Sequence, residues 1–221
     1  MFELRYPESR MLKNSIIYLS SSLFNKLVPF LLLPILTRYL EPNEYGLIAI
    51  FQMCMTCFLA FYGCLQSNIP RVFFSLDKER FSIYLAAIFV FLIVVFLFSF
   101  GSTALYVAFG GNLFGLNQGW FLSLPIIAAL SMMNLINLTL IRTQEKAFLF
   151  AKWEISHSFL NLILSLILVL LLSYGWQGRL IGITFPILIV GVGGAFFIIS
   201  RKLIVFEIFT RDLKELSLVS L

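Results

Sequence analysis

Charge is scarce in this sequence. Asp, Glu, Lys and Arg together make up 12% of its 221 residues, against 60% apolar residues that include 25 phenylalanines. That balance excludes a water-soluble domain, which needs polar surface these residues do not supply. Histidine occurs once, at His157, and the 11 carboxylates are scattered. A membrane enzyme needs acids, bases or metal ligands gathered near the interface, so catalysis is not expected. Glu154 and His157 stand at i, i+3, but the sequence offers no further ligands to complete a metal site, and a local hydrogen bond or a helix-start charge pairing is the simpler reading. Cys54, Cys57 and Cys64 fall in one apolar run; without a second ligand pair they read as small apolar filler rather than zinc or redox chemistry. No glycine-rich phosphate loop is present. The net charge of +5 has no nucleic-acid motif beside it. No cofactor, metal or nucleic-acid partner is expected.

What the sequence has is six apolar runs, at about 15–36, 45–68, 82–100, 120–141, 158–174 and 180–199. Each approaches the length that spans a bilayer, and short connections make them neighbours in one domain. No internal repeat or low-complexity linker interrupts them. The first run, Ser15 to Thr37, is ~33 Å long as a helix, enough for a hydrocarbon core of ~30 Å. It is too long for a signal-peptide core and lacks a small-residue cleavage site, so it reads as a retained span. Asn25 and Lys26 stand at its midpoint, with Pro29 and Pro34 beyond. Pro29 cannot donate to the carbonyl of Asn25, which predicts a bend and a free acceptor, and the two prolines are candidate hinges. An ammonium at mid-bilayer costs ~3 kcal/mol on insertion scales; snorkelling or pairing within the bundle would relieve this, but a water-filled, anion-accepting cavity is the preferred reading.

The basic residues set the orientation. Thirteen fall in the N-terminal segment, loops two and four and the tail, while only Arg38 and Arg179 fall on the other side, because Gly101 to Gly119 carries no charge. That asymmetry places both termini in the cytoplasm. Tyr39, Tyr45, Tyr106, Trp120, Trp153, Tyr174 and Trp176 sit near span ends, as an aromatic belt does.

Polar residues recur at helical spacing: Ser15, Tyr18, Ser22 and Asn25 in span one, Gln52, Thr56, Gly63 and Gln66 in span two, Ser131, Asn134 and Asn137 in span four, Glu154, His157, Asn161 and Ser165 at span five. Such groups either hold helices together or line a path; four such stripes argue for a shared wet interior. Span three, with only Tyr84 breaking Ile83 to Phe98, is expected to face lipid. Gly182, Pro186, Gly191, Gly193 and Gly194 suit span six to close packing. Phe206, Phe209, Leu213, Leu216 and Val219 form one face of an amphipathic tail helix on the cytoplasmic interface. The expected organisation is a cytoplasmic segment 1–14, a six-helix lobe 15–199, and a tail 200–221 that stops without a terminator.

Several stretches, in this order, resemble a known family. Leu33 to Leu47 (LPILTRYLEPNEYGL) looks like the end of the first helix and the loop after it in O-antigen and polysaccharide flippases of the multidrug, oligosaccharidyl-lipid and polysaccharide exporter superfamily. Asn68 to Phe81 (NIPRVFFSLDKERF) resembles the family's second loop, Leu140 to Trp153 (LIRTQEKAFLFAKW) the loop before its fifth helix, Asn161 to Leu172 the core of that helix, and RDLKELSL the lead-in to its seventh. The order and spacing carry the likeness more than any single motif.

The resemblance implies an all-α, multi-pass protein of the bacterial inner membrane, corresponding to the N-terminal lobe of a twelve-helix exporter. It implies flipping of undecaprenyl-pyrophosphate-linked oligosaccharide by alternating access, with membrane lipid around the chain, a second lobe or homodimer partner, and glycan polymerase or assembly proteins as associates. Lys26, Asn25, Gln52, Asn134, Asn137, His157 and Asn161 are then the cavity candidates, and Arg71 and Arg142 lie at the cytoplasmic mouth. Two rivals stand beside this. A drug/cation antiporter of the same superfamily would want an acidic residue at mid-depth, which spans one to six are not expected to contain. A non-transporting scaffold or remnant would use the polar stripes only as glue.

Overall fold

A computed structural model describes residues 8–63, 66–111 and 115–200, and within these the side chains from Leu12 to Ile198. The segment 1–7 and the predicted tail helix, from residue 201 on, lie outside the described residues. All regular structure among those described is helical: α1 (Glu8–Tyr39), α2 (Pro42–Tyr62), a 3-10 turn (Gln66–Asn68), α3 (Ile69–Ser75), α4 (Lys78–Ala108), α5 (Gln118–Thr143), α6 (Ala147–Leu166) continuing into a π-helical turn (Ile167–Leu171), and α7 (Gly175–Ser200). Six of these are long and apolar enough to cross a membrane: α1, α2, α4, α5, α6 with its π-turn, and α7.

The spans agree in number with the six apolar runs and differ in their ends. The second stops at Tyr62 rather than at residue 68. The third runs on to Ala108, because the uncharged stretch after Gly101 is helical rather than loop. The fifth begins at Ala147 and the sixth at Gly175. Charged and polar residues read as marking aqueous ends (Lys152, Glu154, His157 and Arg179) instead lie inside helices. α1 runs unbroken through Pro29 and Pro34, both exposed. Thr37 Oγ1 donates to the carbonyls of Leu33 at 3.0 Å and Pro34 at 3.2 Å.

Two compact units make up the chain, Met1–Ile48 with Leu138–Val190, and Ala49–Asn137 with Gly191–Leu221. In the first, α1 and α6 run parallel. α1 buries Ser21, Val28, Leu32 and Leu36, a stripe at steps of about two turns and then one. The Tyr18 ring meets Phe150 edge-on at 5.1 Å. α2 starts as its sequence dictates: Pro42 occupies the first helical position, where no N–H is needed, and the Glu44 carboxylate accepts the Glu41 N–H at 3.1 Å. The turn into α7 uses Gly175 at φ +54°, which only glycine adopts without strain. Past it, Gly178 and Gly182 bring α7 against Leu168 and Ser165.

In the second unit Phe51 and Trp120 pack edge-on at 6.0 Å, and the backbone at Gly191 is pressed against Leu130. α4, the span expected to face lipid, has two sides: Phe81, Leu85, Ala86, Ile88, Phe89 and Leu92 are buried, while Ile93, Val94, Leu97 and Phe98 are exposed. An all-apolar helix gives no periodic contrast, so its buried face is invisible in the sequence. Ser99, on the same helix, shares a 2.8 Å hydrogen bond with the Tyr62 hydroxyl, which also lies 3.4 Å from the Pro125 carbonyl. Tyr62 is 2% exposed. Tyr62→Phe is therefore expected to cost about 1 kcal/mol, with no further loss when combined with Ser99→Ala. A double-mutant cycle on detergent unfolding midpoints checks this; additive losses would mean the two hydroxyls are not coupled.

Candidate functional site

The polar groups of the first unit converge on one face of α6. Glu154, Ser158, Asn161 and Ser165 follow each other at four, three and four residues, which stacks them on a single line along the helix. Two other helices contribute to that line. From α1, Asn25 donates through Nδ2 to Glu154 Oε1 at 3.2 Å and accepts the Ser158 hydroxyl at Oδ1, 2.5 Å away. From α7, Arg179 donates through Nη1 to Asn161 Oδ1 at 2.7 Å and to the Ser165 hydroxyl, which itself lies 3.2 Å from Asn161 Oδ1. Arg179 is 4% exposed and Glu154 9%. Close packing at Gly182 lets Arg179 reach across: a Cβ there would collide with Ser165.

Neither ionisable group is neutralised by an opposite charge in direct contact among the described residues. The acceptors of Arg179 are an amide and a hydroxyl. Glu154 holds one amide donor at Oε1, and its Oε2 is buried with no hydrogen-bond partner. In membrane-spanning helices such groups are expensive and mark places where polar species are handled. Ser158 Oγ also lies 3.1 Å from the Glu154 carbonyl, the back-bonding a helix offers a serine in an apolar setting.

Of the residues singled out from the sequence, Asn25 and Asn161 belong to this line. Lys26 is exposed on α1 next to it. His157 is half-buried one turn beyond Glu154, its Nε2 enclosed and without a partner. The other cavity candidates lie in the second unit. There Gln52 is exposed, Asn134 is half-buried, and Asn137 is fully buried beside Gly194, with neither side-chain polar atom hydrogen-bonded. Arg71 is exposed on α3. Arg142, exposed at the end of α5, lies over the rings of Phe150 at 4.7 Å and Tyr18 at 5.9 Å, so its guanidinium is partly engaged in cation–π contact.

Arg179 is the member that sequence reasoning missed, having been assigned to a loop on the far side. Its signal was there: it follows Gly175 by four residues, within reach of helix-forming sequence on both sides. Glu154 is buried, but it lies nearer the start of the span Ala147–Leu171 than its middle. It stands about two turns inside α6.

The model of the family described as polysaccharide biosynthesis protein matches residues 11–221. Among curated proteins, the chain is 39% identical over 71 residues to a protein named for the Lsg locus of Haemophilus influenzae (strain Rd). That stretch is 32% of this chain and 18% of the relative, so the likeness spans less than a fifth of the relative's length. No solved structure matches.

Proposed function

Because this chain belongs to the polysaccharide biosynthesis protein family, we propose that it is one lobe of a carrier that moves a polyprenyl-pyrophosphate-linked oligosaccharide across the bacterial inner membrane. It is a multi-pass membrane protein in a family of membrane polysaccharide transporters, and on this reading it transports rather than catalyses. The observation that carries the reading is the buried polar line of α6, tied to Asn25 and Arg179 inside membrane-spanning helices. The amides, hydroxyls and one cation of that line are the groups that complement a substrate made of sugar hydroxyls and phosphate once the lobe opens during carriage.

Lys26 is the first residue to test. Its ammonium stands exposed on α1 beside Asn25, and in a low-dielectric setting an anionic headgroup is its natural complement. Deleting the gene is expected to abolish surface glycan and to leave lipid-linked oligosaccharide on the cytoplasmic face. Restored as Lys26→Ala or Lys26→Gln, export should fall about tenfold, the equivalent of ~1.4 kcal/mol, whereas Lys26→Arg should keep most of it. Unchanged surface glycan in both neutral variants would remove Lys26 from the substrate path.

The inner-membrane orientation rests on basic residues at the cytoplasmic side. Because Arg179 is enclosed by the protein, Arg38, in the last turn of α1, is left as the far-side charge of that count. The antiporter reading gains one observation, the buried Glu154. The deletion strain separates the two: sensitisation to cationic dyes with intact surface glycan would favour drug export.

A further inference from the structure

We propose that a pocket between α2 and α4 binds a polyisoprenoid chain, the hydrocarbon tail of the carried lipid. That this tail belongs to the cargo rests on the transport reading above; the pocket's preference for such a chain does not. The pocket lies wholly in the second unit, whereas the polar line of α6 belongs to the first. Helical spacing builds one of its walls. Phe91, Val94, Val95, Phe98, Ser99 and Ser102 follow each other at three, one, three, one and three residues, a single stripe along α4. α2 ends at Tyr62, and its last turn brings Phe58 and Phe61 to the other wall.

The hydroxyls in this wall ask nothing of a ligand. Those of Tyr62 and Ser99 share a hydrogen bond of 2.8 Å, with the Pro125 carbonyl 3.4 Å from Tyr62 and the Phe96 carbonyl 3.0 Å from Ser99. Ser102 donates to the Ser99 carbonyl at 2.9 Å. Every donor is spent within the protein. What remains is hydrocarbon and ring faces, where a polar or charged ligand would lose its water and gain no partner. Phe61, Val94 and Phe98 are exposed at the rim, and α2 and α4 are both membrane-spanning. The mouth therefore lies at the depth of the lipid chains.

Width decides between kinds of hydrocarbon. The pocket encloses about 430 Å³. An apolar cavity of about 150 Å³ holds one benzene, so this one has room for roughly three groups of that size. A straight acyl chain is slender throughout and fills a channel rather than a chamber. A polyisoprenoid carries a methyl branch and a flat double bond in every isoprene unit, each close to benzene in bulk. Phe58, Phe61, Phe91 and Phe98 offer rings against which such flat groups pack. About three successive units fill the space.

The test is photo-cross-linking of the purified full chain in nanodiscs of phosphatidylglycerol and phosphatidylethanolamine. One arm carries a polyprenyl phosphate with a diazirine in its tail, the other a phospholipid with the same diazirine in an acyl chain. The polyprenyl probe is expected to label the peptides that hold residues 58–62 and 91–102. Excess undecaprenol, which has the tail and no phosphate, should suppress that labelling, and excess phosphatidylglycerol should leave it unchanged. Val94→Trp, at the rim, should close the mouth and cut labelling about tenfold, whereas Ile93→Trp, exposed on the same helix outside the pocket, should not. If Val94→Trp does not accumulate, the undecaprenol competition on the parent chain decides alone. Equal labelling of the pocket by the acyl probe, labelling spread over all exposed helix faces, or indifference to undecaprenol would overturn the proposal. Competed labelling in a protein whose deletion leaves surface glycan intact would instead keep the pocket and remove the carrier reading.

Discussion

Gly182→Val is expected to cost at least about 3 kcal/mol and to leave little folded protein in the membrane. Overpacking a well-filled core ordinarily costs ~1–3 kcal/mol, and less when a flexible side chain can move aside. At Gly182 the obstruction is backbone: a Cβ would lie 2.9 Å from both the Cα and the N of Ser165, besides striking its hydroxyl. α7 would have to withdraw from α6, and Arg179 would lose its grip on Ser165 and Asn161. Membrane accumulation and the detergent unfolding midpoint measure the loss. Gly101→Ala is the control, since nothing lies within 4 Å of a Cβ there and a mid-helix alanine gains about 1 kcal/mol over glycine. A tolerated valine at 182 would mean that the two helices are not in contact as described.

Arg179→Met should separate folding from function. Exchanging a buried charge for an apolar side chain of similar volume is often neutral or stabilising, because the desolvation penalty of the ion disappears with it. Asn161 and Ser165 retain their bond to each other at 3.2 Å, so few groups are stranded. The variant is thus expected to accumulate normally and melt no lower than the parent, while glycan export falls tenfold or more. Arg179→Lys should recover part of that export, since both hydrogen bonds leave the same nitrogen, Nη1, and a point cation can serve two acceptors. Full export by Arg179→Met would reduce Arg179 to a packing element.

Six spans were legible because twenty-odd apolar residues in a row have few alternatives. The family resemblance was legible for a different reason: loop segments such as Leu33 to Leu47 keep their order and spacing along most of the chain. What the sequence obscured comes down to one habit of reading. Charges were taken as markers of water, so Glu154, His157 and Arg179 were placed at span ends, and the helices were cut short around them. Inside the protein Glu154 and Arg179 are held by neutral amides and hydroxyls instead, which join residues 25, 154 and 158, and 161, 165 and 179. Periodicity within one helix shows which residues share a face; it does not show which helix that face meets. Span three, apolar on every side, was silent about its buried half.

The wide turn at Ile167–Leu171 has a consequence for ancestry. There the Leu172 N–H reaches back five residues, to the Ile167 carbonyl at 3.1 Å, so the segment holds one residue more per turn than the helix before it. An insertion or deletion of a single residue at this point changes the winding locally, while everything from Glu154 to Ser165 keeps its heading toward α1 and α7. Homologues whose fifth span differs in length by one residue should carry their gap between 167 and 171, and the alignment below it should run without interruption.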